Sequence, residues 1–285
     1  MLAGNRNRLT SKLGIDYPII QGPLGGLSSQ GLTAAVSNFG GLGSFGAHGL
    51  PPGAIKDVIA EIRSLTSKPF AMNLWVSMED EGARTSDENA FKRSLGPLEN
   101  HLAALGAPRP KYKQHSPTRF EDQARVLLDE KVSVFSFIFG IPPREVLDEC
   151  RTNRIVTIGT ATTPDEAAAL QEAGEDAIVA SGFEAGGHRG SFLRAAGDSL
   201  MGTLSLIPQV VDVVGVPVVA AGGIGDARGV IAALALGADA VQMGTAFLAC
   251  KESGASRLHR EALRSREAGP QDGSRGADIN RNPKS

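Results

Sequence analysis

Residues 216–245, VPVVAAGGIGDARGVIAALALGADAVQMGT, hold two apolar runs of strand length with one helical segment between them. The first run, 216–220, is rich in β-branched side chains and carries no charge, the composition of a strand buried on both faces. It opens into Ala220-Ala221-Gly222-Gly223-Ile224-Gly225-Asp226, a glycine turn, after which 227–235 carries aliphatic residues at helical density. Residues 240–243 return to strand and close in Met243-Gly244-Thr245. A strand, a glycine turn, a helix and a second strand make one βαβ unit, and such units build parallel sheets.

Outward from this unit the same alternation runs through the chain. Strands are expected at 18–21, 42–45, 70–76, 132–139, 155–159 and 177–180. Between them, 30–39 reads as a helix stopped by Gly40-Gly41, and 51–65 as a helix with Ile55, Val58, Ile59 and Ile62 on one face. Residues 144–151 form another, and Thr163-Pro164-Asp165-Glu166 is a helix start with a cap, a proline at the first position and acids suited to the dipole. Eight strand–helix pairs predict a (β/α)₈ TIM barrel over 1–264, with a doubly wound sheet as the alternative. A polar insertion at about 77–117, with a short helix around Leu95, Leu98, Leu102 and Leu105, is expected to pack on the barrel top without forming a second domain. From 265 onward the chain is polar with almost nothing apolar, and a disordered tail is expected there.

Composition narrows the function. Glycine is in excess, 35 of 285 residues, and clusters at the ends of apolar runs, as a fold with many tight turns requires. A net charge of −2 provides no field for nucleic acid or anionic membrane. Cys150 and Cys250, the two cysteines, lack metal-type spacing and make a disulfide framework or zinc site unexpected. No apolar run approaches the length of a membrane span, so a cytoplasmic enzyme is expected, a monomer or homodimer acting on a small molecule.

In such barrels phosphate is commonly held by the turns after strands seven and eight, where backbone amides converge. Here those turns supply Gly222, Gly223, Gly244 and Thr245, with Gln242 just before, and they predict a phosphate-bearing ligand. Gly41-Leu42-Gly43-Ser44-Phe45-Gly46 spells a dinucleotide fingerprint but follows a helix, where the motif needs a strand. The remaining strand ends add Gln21, Gly22, Pro23, Asn73, Ser136, Gly159, Thr160, Ser181 and Gly182, a ring wide enough for a flat heteroaromatic group with a phosphate tail. After the sixth strand comes Glu184-Ala185-Gly186-Gly187-His188-Arg189-Gly190, one imidazole on a loop of glycines. His188 is the histidine expected at the rim as a proton acceptor, while His48, His101, His115 and His259 are assigned to helices or loops and Arg189 to structure or surface.

Taken in order, Ile19-Ile20-Gln21-Gly22-Pro23, Met72-Asn73, the segment from Ser181 to Gly190, Ala220-Ala221-Gly222-Gly223-Ile224 and Gln242-Met243-Gly244-Thr245 resemble the nitronate monooxygenases, formerly nitropropane dioxygenases. The resemblance implies a barrel holding non-covalent FMN that oxidises alkyl nitronates with molecular oxygen to a carbonyl compound and nitrite. It implies that His188 is the catalytic imidazole, that Asn73 contacts the flavin, and that Gln21, Gly22 and Pro23 edge its ring system. Gly223, Gly244 and Thr245 would hold the phosphate. A second FMN barrel, enoyl-acyl-carrier-protein reductase II, is similar through the same turns and histidine, and with the quinone reductases it implies a nicotinamide donor instead. Family members usually continue past the last barrel helix with an aromatic and basic segment that folds over the site. No tyrosine or phenylalanine follows Phe247 here, so a truncated C-terminus and an inactive flavin-binding protein form the third expectation.

Overall fold

In a computed structural model, residues 6–76, 88–112 and 118–265 are described. The tail expected from 265 and the two ends of the 77–117 insertion fall almost wholly outside them. Eight strands alternate with helices: β1 (Ile19–Gln21), β2 (Gly43–Gly46), β3 (Phe70–Trp75), β4 (Val134–Ile138), β5 (Val156–Ala161), β6 (Ala177–Ser181), β7 (Val218–Ala221) and β8 (Ala240–Met243). The helices, in chain order, are α1 (Arg8–Leu13), α2 (Gln30–Phe39), α3 (Pro52–Leu65), α4 (Glu88–Leu95), α5 (Glu99–Ala104) and α6 (Phe120–Asp129). They continue with α7 (Arg144–Asn153), α8 (Pro164–Ala173), α9 (Thr203–Val213), α10 (Ala227–Ala235), α11 (Thr245–Leu248) and α12 (Arg257–Arg264).

Every strand pair is parallel, in the order β1-β8-β7-β6-β5-β4-β3-β2. The ring is completed by a bridge between Ile20 and Leu42, with Gln21 N–H donating to Leu42 O at 2.9 Å and Leu42 N–H to Ile19 O at 3.0 Å. This is the expected (β/α)₈ barrel, and because all strands run the same way, all their C-terminal ends open on one face. Three apolar clusters hold it, the smallest made of Ile207, Ala220, Ala233, Ala238 and Val241. Ile20, Leu42, Ala71, Val134, Ile158, Val179 and Val219 form another with Leu9 and Leu13 of α1, while Met72, Phe135, Phe137, Ile178 and Ala180 belong to the cluster shared with α3, α6, α7, α8 and α9.

Local chemistry explains the element ends. Ser29, Thr163 and Asp226 cap α2, α8 and α10 through their side chains, and Gly40 and Gly174 end α2 and α8 with positive φ. α1 lies where the sequence reads as merely polar and basic; Asn7 and Thr10 form a capping box there, and Leu9 and Leu13 are buried. Cys150 is fully buried on α7, and burial pushes its thiol up to about 12, which removes it as a nucleophile. Among the described residues no helix is long and apolar enough to cross a membrane, and no cluster is arranged to hold a metal.

Candidate active site

The loop from β6 to α9 is tied down at nearly every charged residue it contains or touches. The Glu184 carboxylate accepts from Thr203 N–H at 2.9 and 3.1 Å and from Thr203 Oγ1 at 2.7 Å, so it caps the start of α9. The Arg189 guanidinium donates to the carbonyls of Ser181 (2.6 Å), Thr162 (3.2 Å) and Ser199. Buried Glu166 accepts from Thr162 N–H and Oγ1, both at 2.7 Å, and from the N–H groups of Phe192 and Leu193. A Cβ on Gly190 would lie 2.4 Å from Ile138 Cγ1, so glycine is needed where the loop lies on β4. What these anchors leave unbound is the apex: Gly186, Gly187 and His188 are exposed, with Gly187 at φ +85°. Arg189 is thus structural, and burial lowers its pKa, with Glu166 and Glu184 acting in the opposite direction.

Against that apex stands an aromatic wall. The His188 ring meets the Trp75 indole edge-on, centroids 4.9 Å apart at 63°, and the Phe139 ring at 6.2 Å and 84°. Trp75 is in turn stacked on His48 and edge-on to Phe139 at 4.9 Å. Phe139 reaches this place through a left-handed backbone, φ +67°, followed by Gly140 at φ +133°. A bulky residue held there costs about 1–3 kcal/mol, and such outliers concentrate at functional sites.

The glycine turns form a cradle for an anion. Gly222 and Gly223 have φ of +117° and +65°, and a Cβ on Gly222 would meet Thr203 Oγ1 at 2.5 Å, so no other residue fits. No described residue accepts from the N–H groups of Gly223, Ile224, Gly225 or Gly244. The first amides of α10 are already taken, since the Asp226 carboxylate accepts from Arg228 and Gly229 N–H. The backbone donors left open are therefore those of the turn itself and of Gly244, not those at the end of α10. These turns adjoin the loop after β6: a Cβ on Gly223 would lie 3.3 Å from Glu184 Cβ, and one on Gly186 4.0 Å from Thr245 Oγ1. Free donors, room for a close approach and a hydroxyl at one edge fit the phosphate end of FMN.

The sequence-expected residues divide accordingly. Gly22, Pro23, Gly186, Gly187, His188, Gly222, Gly223, Gln242, Gly244 and Thr245 share the open face, and a Cβ on Gly22 would lie 3.3 Å from Gly244 Cα. Asn73 Nδ2 donates to Ser136 Oγ at 3.0 Å across β3 and β4, both residues buried beneath that face. The buried Gln21 amide donates to the carbonyls of Gly22 (2.9 Å) and Ser44 (2.7 Å) and accepts from Ser44 N–H (3.2 Å), tying β1 to β2. Gly159 points its missing Cβ at Leu170 of α8, 2.5 Å away, and Gly182 at Thr203 Oγ1, 2.0 Å away; packing accounts for both. Ser181 is half-buried, with its carbonyl on Arg189. Sequence reasoning missed Trp75, Phe139 and His48. Trp75 and Phe139 fell inside the expected strands 70–76 and 132–139 and were read as core, while His48 was read as loop; only the pairing of β2, β3 and β4 brings the three rings together.

Comparison with known proteins places the chain among relatives. Residues 6–269 match the nitronate monooxygenase family. A probable nitronate monooxygenase of Staphylococcus aureus (strain Newman) is 44% identical over 260 residues, covering 91% of this chain and 72% of that protein. The solved nitroalkane oxidase from Streptomyces ansochromogenes superposes with a TM-score of 0.80 at 38% identity, covering 92% of this chain and 74% of its own. FabK from Thermotoga maritima superposes at 0.69 with 32% identity, covering 90% and 67%.

Proposed function

The chain belongs to the nitronate monooxygenase family and is a flavin oxidoreductase, and from that premise we propose that it holds FMN at the barrel mouth and oxidises alkyl nitronates with molecular oxygen to a carbonyl compound and nitrite. Neutral nitroalkanes enter the same reaction once deprotonated. The observation that carries this reading is one exposed imidazole at the apex of a firmly anchored loop, facing an aromatic wall and adjoining the Gly244-Thr245 turn.

FMN, when bound, supplies the electron transfer from nitronate to oxygen, and the protein supplies placement and charge. The free N–H groups of Gly223, Ile224, Gly225 and Gly244, with the Thr245 hydroxyl, would hold the phosphate. Gly22 and Pro23 would border the ring system from β1. A ring nitrogen of His188 takes the proton from the α-carbon of a neutral nitroalkane, and the resulting imidazolium hydrogen-bonds the nitronate oxygens. Trp75 and Phe139 offer an apolar surface to the alkyl group and keep water from the reacting carbon.

Two additions to the FMN-reconstituted protein test the reading. A nitronate added without air should bleach the flavin, and admission of air should restore the colour with release of nitrite. Rapid bleaching by NADH or NADPH, with none by nitronate, would instead assign the site to a nicotinamide-linked reductase.

A further inference from the structure

His48 follows β2 by two residues and takes no part in the chemistry assigned to His188. Its ring lies flat on the Trp75 indole, centroids 3.8 Å apart and planes within 6° of parallel. The same ring lies against main chain from the loop after β1, where a Cβ on Gly25 would come within 2.5 Å of His48 Cε1. Gly25 in turn is pressed onto the end of β2: a Cβ on Gly46 would lie 3.1 Å from both Gly25 Cα and N. The backbone of His48 is pinned as well, since Gln123 Nε2 of α6 donates to His48 O and Leu50 O, each at 2.8 Å. Trp75 therefore stands between an imidazole fixed at ring and main chain and the imidazole at the loop apex.

We propose that His48 is a positioning residue: lodged against Gly25 and stacked on Trp75, it fixes the indole edge against which His188 is held, and so couples the loop after β1 to the proton-handling imidazole. The catalytic consequence rests on the role proposed for His188; the clamp itself rests on geometry alone. Ring pairs at this separation keep their contact in few orientations, so the indole is held in a single pose. Charge divides the two histidines further. Burial lowers the pKa of His48, and the charge that His188 can carry acts in the same direction. Among the described residues His188 is the one ionisable group acting on it, and Gln123 reaches its carbonyl. His48 is accordingly neutral at neutral pH, and a proton abstracted from substrate stays on His188.

Trp75 is the only tryptophan of the chain, so its emission reports on this contact without any turnover. A protonated imidazole touching an indole quenches it. In the protein without added flavin, emission should fall as His48 takes up a proton, at a pH below the ordinary imidazole range. His48→Phe should abolish this fall while keeping tryptophan anisotropy high, and His48→Ala should abolish it and lower the anisotropy. With FMN bound, His48→Ala should reduce kcat for a neutral nitroalkane about 10- to 100-fold, the scale of a misplaced catalytic group. Preformed nitronate should be affected much less, and His48→Phe should recover most of the loss. Unchanged anisotropy and titration in His48→Ala would overturn the clamp. An intact clamp with equal losses on both substrates, unrecovered by phenylalanine, would overturn its link to His188. A protein that turns over neither substrate would count against the proposed function while leaving the fluorescence result to decide the clamp.

Discussion

His188 sits on a loop whose neighbouring charged residues, Glu184 and Arg189, are engaged with backbone. Those two hold the chain, and the exposed imidazole between them is the group proposed to exchange a proton with substrate. His188→Ala should therefore leave FMN bound while lowering turnover of neutral nitroalkanes by about 10²–10⁴-fold, the usual contribution of general base catalysis. Equal rates in steady-state nitrite assays would remove His188 from that role. A different carboxyl carries a stability prediction. Glu175 is 2% exposed, and no described group hydrogen-bonds either of its oxygens; the Thr157 hydroxyl, which would favour the carboxylate, falls short of a bond. Burial pushes its pKa up to about 7 from an ordinary 4.5. The folded state then holds a proton that the unfolded chain releases, so stability is lost as pH rises from the ordinary carboxylate range to about 7 and stays lost above it. Glu175→Gln should gain on the order of 2–3 kcal/mol at alkaline pH and nothing in mild acid. Denaturant midpoints that differ from the parent equally at both pH values would contradict this.

At the scale of elements, the loop between β6 and α9 behaves as a bracket whose hydrogen bonds reach β6, α8 and α9. Arg189→Lys keeps the charge but cannot span the carbonyls of Ser181, Thr162 and Ser199 at once, and should cost about 1–3 kcal/mol in urea unfolding. A loss no larger than that of an exposed arginine would mean that the bracket bears no strain. The bracket explains why the motif was legible while its division of labour was not. Spacing reveals a glycine loop with one imidazole, but whether a carboxylate caps a helix is decided by α9, which begins thirteen residues beyond Gly190. Helices with strong ends were legible to the residue, α2 and α10 among them, because Ser29, Gly40 and Asp226 punctuate them. α1 was not, since a six-residue helix with two buried leucines has no period to read. His48 was passed over although it lies in a turn, as the sequence assigned it, because nothing in its spacing shows that its ring stacks on Trp75 of β3.

Across the whole molecule the parallel barrel does the assembling, bringing to one face turns that lie over two hundred residues apart in sequence, as Gly22 and Gly244 do. The segment after β8 reinforces this by docking on the loop after β1, where Gly254 N–H donates to Leu27 O at 2.9 Å and Ser29 Oγ bonds Glu252 O. The fold was legible because alternating strands and helices leave few alternatives, whereas the aromatic wall arises from the ends of β2, β3 and β4, strands distant in sequence that their pairing sets side by side. Thr245→Val should weaken FMN retention by about tenfold, the loss of one hydroxyl bond to an anion, with the thermal midpoint of the flavin-free protein unchanged. Whether FMN occupies this mouth can be read from Trp75 at its wall. Titration with FMN should quench the tryptophan in a single saturable step, at higher FMN concentration in Thr245→Val. Flavin that binds without quenching Trp75, or quenches it without saturation, would place the cofactor elsewhere and contradict the account.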